Sequence, residues 1–240
     1  MSTVKTITFK SGIYHLTGTL HLPTKPQSPV VIGCHGLLSN RDSPKQIALA
    51  RACNQEGWAY FRFDHRGCGQ SQGEFVKTTT LSSRCQDLSA AKATMRAHPA
   101  VGRLAALFGS SFGGTVVLAH AAEHPSPALI TYAAPINSAS IRHINILDKS
   151  GHPPASTLLT DALEFNIAPK LASAQPLRNI LIAHGQSDET VPADHARKIH
   201  DLTGDPRKLI LFKNGDHRMS DPAHQQQFEK LFINWIKGLN

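Results

Sequence analysis

Long hydrophobic runs are missing from this chain. Its first twenty residues alternate polar and apolar positions and hold no uninterrupted apolar stretch of signal-peptide or membrane-spanning length. The expectation is a cytoplasmic protein with no stable membrane association. Closely spaced cysteines are missing too: Cys34, Cys53, Cys68 and Cys85 stand singly, without a C-x-x-C pair. This argues for free thiols and against a disulfide scaffold. With no H-E-x-x-H and no close Cys/His cluster, no metal is expected. Basic charge is plentiful but unclustered. The 25 Lys and Arg against 17 Asp and Glu give a formal charge of +8, yet they are scattered and do not interleave with aromatics as in single-strand binders. The reading is a solvated basic surface with no nucleic-acid partner.

What the sequence does contain is a strand–helix rhythm. The 240 residues suit one domain. Val4 to Lys10 and Tyr14 to Leu22 alternate like half-buried strands around a Ser11-Gly12 turn, which predicts a hairpin. Buried strands are then expected at Val30 to Cys34, Ala59 to Phe63, Leu104 to Phe108, Leu129 to Ala133, Ile180 to Ala183 and Leu209 to Phe212. Helical patterns fill the gaps, which makes the class α/β with a mostly parallel, eight-stranded sheet flanked by helices. Ser43-Pro44-Lys45-Gln46 reads as a capping box with proline in the first turn, and Asp221-Pro222 repeats the cap-then-proline pattern. The rhythm stalls between about 135 and 175, too long for an ordinary connection. That stretch reads as an inserted lid, and its apolar Ile141, Ile144, Leu163 and Phe165 are candidates to line a substrate pocket.

Gly109-Ser110-Ser111-Phe112-Gly113-Gly114 falls between a predicted strand and a predicted helix, the setting of a G-x-S-x-G nucleophile elbow. A serine on so sharp a turn presses its neighbours two positions away together, where side chains would clash. The glycines bracket Ser111, not Ser110. A serine hydroxyl needs a base to become nucleophilic, and His217 follows the last predicted strand. The imidazole needs a carboxylate to fix its tautomer. Asp188, after the strand Ile180 to Ala183, is the candidate, with Glu189 and Asp194 close enough to be alternatives. Backbone N–H donors for a developing oxyanion are expected from Phe112 and from Leu37, in the loop Cys34-His35-Gly36-Leu37-Leu38.

Together with Asp64-His65-Arg66-Gly67-Cys68-Gly69-Gln70-Ser71, similar to a D-x-R-G-x-G-x-S loop, these motifs make the chain resemble the α/β-hydrolase superfamily over nearly its whole length. It looks most like the compact esterase, feruloyl-esterase-like or S33-like members. In that resemblance Asp64 and Arg66 are structural. The implied activity is cleavage of small-molecule carboxylic esters of small or medium acyl groups through an acyl-enzyme, with no cofactor. The alternatives are an aminopeptidase or acyl-peptide hydrolase using the same triad and, further off, a non-catalytic binding protein of this fold.

Overall fold

The computed structural model describes residues 2–139, 164–172 and 175–239. Elements are numbered in chain order among these. Strands β1 (Thr3–Ser11) and β2 (Tyr14–Leu22) form the expected hairpin, in register from Thr3 opposite Leu22 to Ser11 opposite Tyr14. The two-residue turn is closed by Gly12 at φ 59°, a conformation that favours glycine. From β3 (Ser28–Cys34) onward, strands alternate with helices: α1 (Pro44–Gln55), β4 (Ala59–Phe63), α2 (Phe75–Thr78), α3 (Leu81–Ala97), β5 (Val101–Ser110) and α4 (Phe112–Glu123). After them come β6 (Leu129–Tyr132), α5 (Ala168–Leu171), β7 (Ile180–Gly185), α6 (Asp194–Asp201), β8 (Arg207–Phe212) and α7 (Pro222–Gly238).

The eight strands form one sheet in the order β1-β2-β4-β3-β5-β6-β7-β8. Pairing is antiparallel for β1 with β2 and for β2 with β4, and parallel from there on. Both faces are covered, which is why the central strands read as continuous apolar runs. Leu88, Ala91 and Met95 of α3 and Val116 and Val117 of α4 pack on one face. Leu49 and Cys53 of α1 and Phe228, Phe232 and Ile236 of α7 pack on the other.

The ends of elements depart from the sequence reading. β5 begins at Val101 and not at Leu104, because Val101 pairs with Ser28 of β3 although Gly102 and Arg103 break the apolar run. β6 stops at Tyr132, since Ala133 turns to φ 54°. Asp221 caps α7 through the N–H of Ala223 at 2.8 Å, as expected. Ser43 does not complete a capping box: its side chain makes no cap hydrogen bond to α1. A reciprocal box forms instead at α3, between Thr80 and Ser83.

The stretch from 135 to 175 is described at its two ends. They lie side by side: Ser138 N–H donates to Phe165 O at 3.0 Å and Ile167 N–H to Ile136 O at 2.9 Å. Ile141, Ile144 and Leu163 lie outside the described residues. Among those described, no helix is long and apolar enough to cross a membrane.

Candidate active site

One residue separates β5 from α4, and it is Ser111, at φ 53° and ψ −130°. A side chain in this region is strained by about 1–3 kcal/mol, so its surroundings must hold it there. They do so through its own peptide groups. Ser111 N–H donates to Tyr132 O at 2.8 Å, and Ser111 O accepts from Gly114 N–H at 2.8 Å. The bracketing glycines are required by close approach. A Cβ on Gly109 would fall inside the carbonyl of Gly113, and one on Gly113 inside the carbonyls of Cys34 and His35.

Two loops beyond β7 and β8 converge on this turn. Gly185 abuts Gly215 so closely that a Cβ there would collide with the Gly215 carbonyl, and Ser187 N–H donates to Gly215 O at 2.9 Å. Asp188 and His217 are thereby brought together. His217 Nδ1 lies 2.8 Å from Asp188 Oδ2, and His217 Nε2 lies 3.0 Å from Ser111 Oγ. The Asp188 side chain is fully buried and the His217 side chain 16% exposed.

Asp188 is saturated with donors. Oδ1 accepts from the N–H groups of Thr190 (2.9 Å) and Val191 (2.7 Å), and Oδ2 also faces His184 Nε2 at 3.2 Å. Burial works to raise its pKa, but hydrogen bonds from His184, His217 and Val191 N–H outweigh it and hold the carboxyl well below the usual range. An ionised Asp188 can only accept. The His217 proton therefore sits on Nδ1, which leaves Nε2 as the acceptor for the Ser111 hydroxyl. His184 Nε2 faces two acceptors, Asp188 and Val191 O at 2.9 Å, so it too carries its hydrogen there.

Of the alternative acids, Glu189 Oε2 accepts the backbone N–H of His217 at 3.2 Å. Asp194 opens α6, exposed, next to Arg197 at 3.5 Å. Neither reaches the imidazole.

The loop after β3 lies against Ser111, since a Cβ on Gly36 would stand 3.4 Å from Ser111 Cβ. Its carbonyls are turned the other way, toward buried donors. His35 Nδ1 meets Gly36 O at 2.7 Å, while its Nε2 accepts from His65 N–H at 3.1 Å. Burial, with Arg84 and His65 nearby, keeps the His35 pKa well below its ordinary value, so the ring is neutral with its hydrogen on Nδ1. The guanidinium of Arg84, itself completely buried, donates to His35 O (3.4 Å), Gly36 O (3.2 Å) and Leu37 O (3.0 Å). A planar trans peptide whose oxygen faces Arg84 turns its N–H the opposite way. Because Gly36 O is so held, the Leu37 N–H faces away from Arg84. The same logic turns the Phe112 N–H away from Gly114. Among the described residues, neither N–H has an internal acceptor.

Asp64 and Arg66 fasten the neighbouring loop. Asp64 accepts from Arg41 N–H (2.7 Å) and Gln70 N–H (2.9 Å) and pairs with the Arg41 guanidinium. Arg66 donates to Asp87 Oδ1 from Nε (2.9 Å) and Nη2 (2.7 Å).

A cavity of about 810 Å³ opens on Ser111 and His217, walled by Leu37 and Leu38, the start of α1 including Lys45, and residues 218–220, 225, 228 and 229. The Phe165 ring lies tilted against Phe112, the residue after the nucleophile, with centroids 5.3 Å apart. Among the described residues, no group of three His, Cys, Asp or Glu is placed to hold a metal ion.

Residues 25–176, which include the Gly36 loop, the Asp64 segment and the Ser111 turn, match the family described as serine aminopeptidase, S33. The chain belongs to this S33 hydrolase family. Its sheet and flanking helices are those of the α/β-hydrolase superfamily. Among relatives of the S33 chain, an uncharacterised protein, YfhR of Salmonella typhimurium, is 30% identical over 227 residues, 88% of this chain and 73% of that protein. The mitochondrial palmitoyl-protein thioesterase ABHD10 of Bos taurus is 26% identical over 223 residues, 84% of this chain and 71% of that protein. The structure of Est1E from Butyrivibrio proteoclasticus with ferulic acid bound superposes with a TM-score of 0.78 at 19% identity, covering 96% and 99% of the two chains. At that identity it speaks for the fold alone.

Sequence reasoning passed over three residues of this S33 site. Lys45 reads only as part of a helix cap, and Arg84 and His184 carry no reading. Arg84 carries the one local hint, an Arg-x-x-Asp spacing to Asp87 on a helix whose apolar positions are Leu81, Cys85, Leu88 and Met95.

Proposed function

We propose that this protein is a serine hydrolase that cleaves carboxylic esters of small or medium acyl groups through an acyl-enzyme. It would act as one domain, with the stretch from 135 to 175 as an insert. The observation that carries the reading is the unbroken hydrogen-bond chain from Asp188 through His217 to Ser111 at the mouth of the cavity. In this mechanism His217 Nε2 takes the Ser111 proton as Oγ attacks the ester carbonyl. Asp188 stabilises the imidazolium that results. The oxyanion is received by the N–H groups of Leu37 and Phe112. His217 then gives the proton to the departing alcohol, and a water molecule repeats the sequence to release the acid. The relative named as a thioesterase suggests that thioesters fall within reach of the same steps.

The family's description supports a second reading, an aminopeptidase. That activity calls for a carboxylate to hold the substrate's ammonium. Two line the cavity, Glu189 and Glu229, but Glu189 already accepts the His217 N–H, and the cation Lys45 shares the wall. We therefore favour esters. Purified protein should hydrolyse p-nitrophenyl acetate, butyrate and octanoate, and leave L-alanine p-nitroanilide intact. Anilide cleavage without ester cleavage would reverse the order of the two readings.

Arg84 has a positioning role in this scheme, because it holds the peptide that presents the Leu37 N–H. Arg84→Met should lower kcat for p-nitrophenyl butyrate by about 100-fold, the scale of a lost oxyanion donor, with KM within a few-fold. Arg84→Lys should recover part of the loss. A purely structural role would lower the melting temperature of Arg84→Met while leaving kcat per folded molecule intact.

A further inference from the structure

Lys45 is the second residue of α1 and lines the same cavity as Ser111 and His217. Its Nζ lies 4.0 Å from the centre of the Tyr132 ring, over the ring face. Among the described residues, no carboxylate reaches it as an ion-pair partner; Asp216 and Asp188 act on it from farther off. Although only half-buried by surface area, the ammonium is crowded by protein, and burial lowers its pKa to about 7 against the opposing pull of Asp216 and Asp188. At neutral pH the group is therefore protonated only part of the time; its protonated form meets the ring face, and a bound anion would favour that form.

The end of α1 adds to the same field. The Ser43 side chain caps nothing, and Ser43 and Pro44 also line the cavity. The N–H groups of Lys45 and Gln46 have no acceptor among the described residues. First-turn N–H groups carry partial positive charge out of a helix end, and the first residues of this one, Pro44 and Lys45, line the cavity.

We infer that this end of the cavity is an anion subsite, and that the ester this protein cleaves carries a carboxylate, held by Lys45 while Ser111 engages the ester carbonyl. The inference rests on the ester-hydrolase reading above. A carboxylate would supply the partner that Lys45 lacks, and about 810 Å³ leaves room for both ends of a medium-sized molecule. Glu189, Arg218 and Glu229 also line the cavity; Glu189 accepts the His217 N–H, and Arg218 and Glu229 offset each other, so none of the three sets its preference. A single ammonium with Asp188 and Asp216 beyond it suits a monoanion better than a dianion, whose second charge would go unmatched.

Two matched pairs of esters test this, with the spontaneous hydrolysis of each ester subtracted as a blank. For the acyl side, p-nitrophenyl hydrogen glutarate is compared with p-nitrophenyl pentanoate. For the alcohol side, 4-carboxyphenyl acetate is compared with 4-(methoxycarbonyl)phenyl acetate. In one pair the anionic member should be favoured in kcat/KM by about tenfold or more, the scale of a charge-assisted hydrogen bond. Lys45→Met should bring that ratio to one or below, and Lys45→Arg should keep part of it. A ratio at or below one in both pairs for the unmodified protein, or a preference that survives Lys45→Met, overturns the subsite. Labelling with a fluorophosphonate in parallel separates the two failures. If Ser111 is labelled and neutral esters are cleaved without anion preference, the subsite falls and the hydrolase reading stands. If Ser111 is not labelled and no ester is cleaved, the hydrolase reading falls and takes the subsite with it.

Discussion

Replacing Ser111 with alanine is expected to lower kcat for p-nitrophenyl butyrate by about a millionfold, the scale seen when a hydrolase loses its nucleophile. Ser110→Ala should keep most of the activity. The two serines are adjacent and both half-buried, yet the backbone treats them differently. Ser110 closes β5, where it pairs with Tyr132 of β6. Ser111 stands alone between strand and helix at positive φ, and its hydroxyl is the one that meets His217 Nε2. Alanine at 111 keeps the backbone hydrogen bonds to Tyr132 and Gly114, so the variant should fold. Steady-state rates beside a thermal melt would check both halves. A Ser110→Ala variant that is folded and dead, next to an active Ser111→Ala, would shift the nucleophile by one residue.

Asp188→Asn should cost about 10⁴-fold in kcat, and His217→Ala a similar or larger amount. The reason lies in the carboxylate's contacts. Oδ1 accepts from two backbone N–H groups and Oδ2 faces two imidazoles, so all four contacts call for an acceptor. An amide has one oxygen and one NH2, and whichever way it turns, a donor is left facing donors. If the NH2 faces His217, the ring must present a bare Nδ1 and so carry its hydrogen on Nε2, where it can no longer accept from Ser111. If it faces Thr190 and Val191, the loop itself is disturbed, at about 1–3 kcal/mol for the unsatisfied groups. Glu189→Gln should cost little, because an amide oxygen can still accept the His217 N–H. Measuring kcat for the three variants at one pH suffices. A severe Glu189→Gln with a mild Asp188→Asn would move the acid one position along the chain.

How far the sequence anticipated this site depends on how local each requirement is. The Ser111 turn was legible because the demand for glycine at 109 arises within five residues, from the Gly113 carbonyl, although the demand at 113 comes from the distant carbonyls of Cys34 and His35. The chain order of Asp188 and His217 was legible because each follows a recognisable strand, and parallel strands deliver their following loops to one edge of the sheet. Arg84 and Asp87 were not. On α3 they resemble solvated positions between Leu81 and Leu88, and they are buried only because loops at 35–37 and 65–66 arrive from elsewhere in the chain and cover them. Lys45 was hidden for the same reason, since the Tyr132 ring beneath its ammonium lies on β6, far along the sequence. The expected cap at Ser43 failed because dipeptide preference cannot foresee that the helix end faces a cavity. Phe165, expected in the pocket wall, meets the ring of Phe112 next to the nucleophile.

The most direct test of the central claim is to treat the native protein with a fluorophosphonate probe and locate the adduct by peptide mass spectrometry. The account predicts a single adduct on Ser111, lost in His217→Ala and kept in Ser110→Ala. An adduct on Ser110, or none on folded protein that still hydrolyses esters, would contradict it.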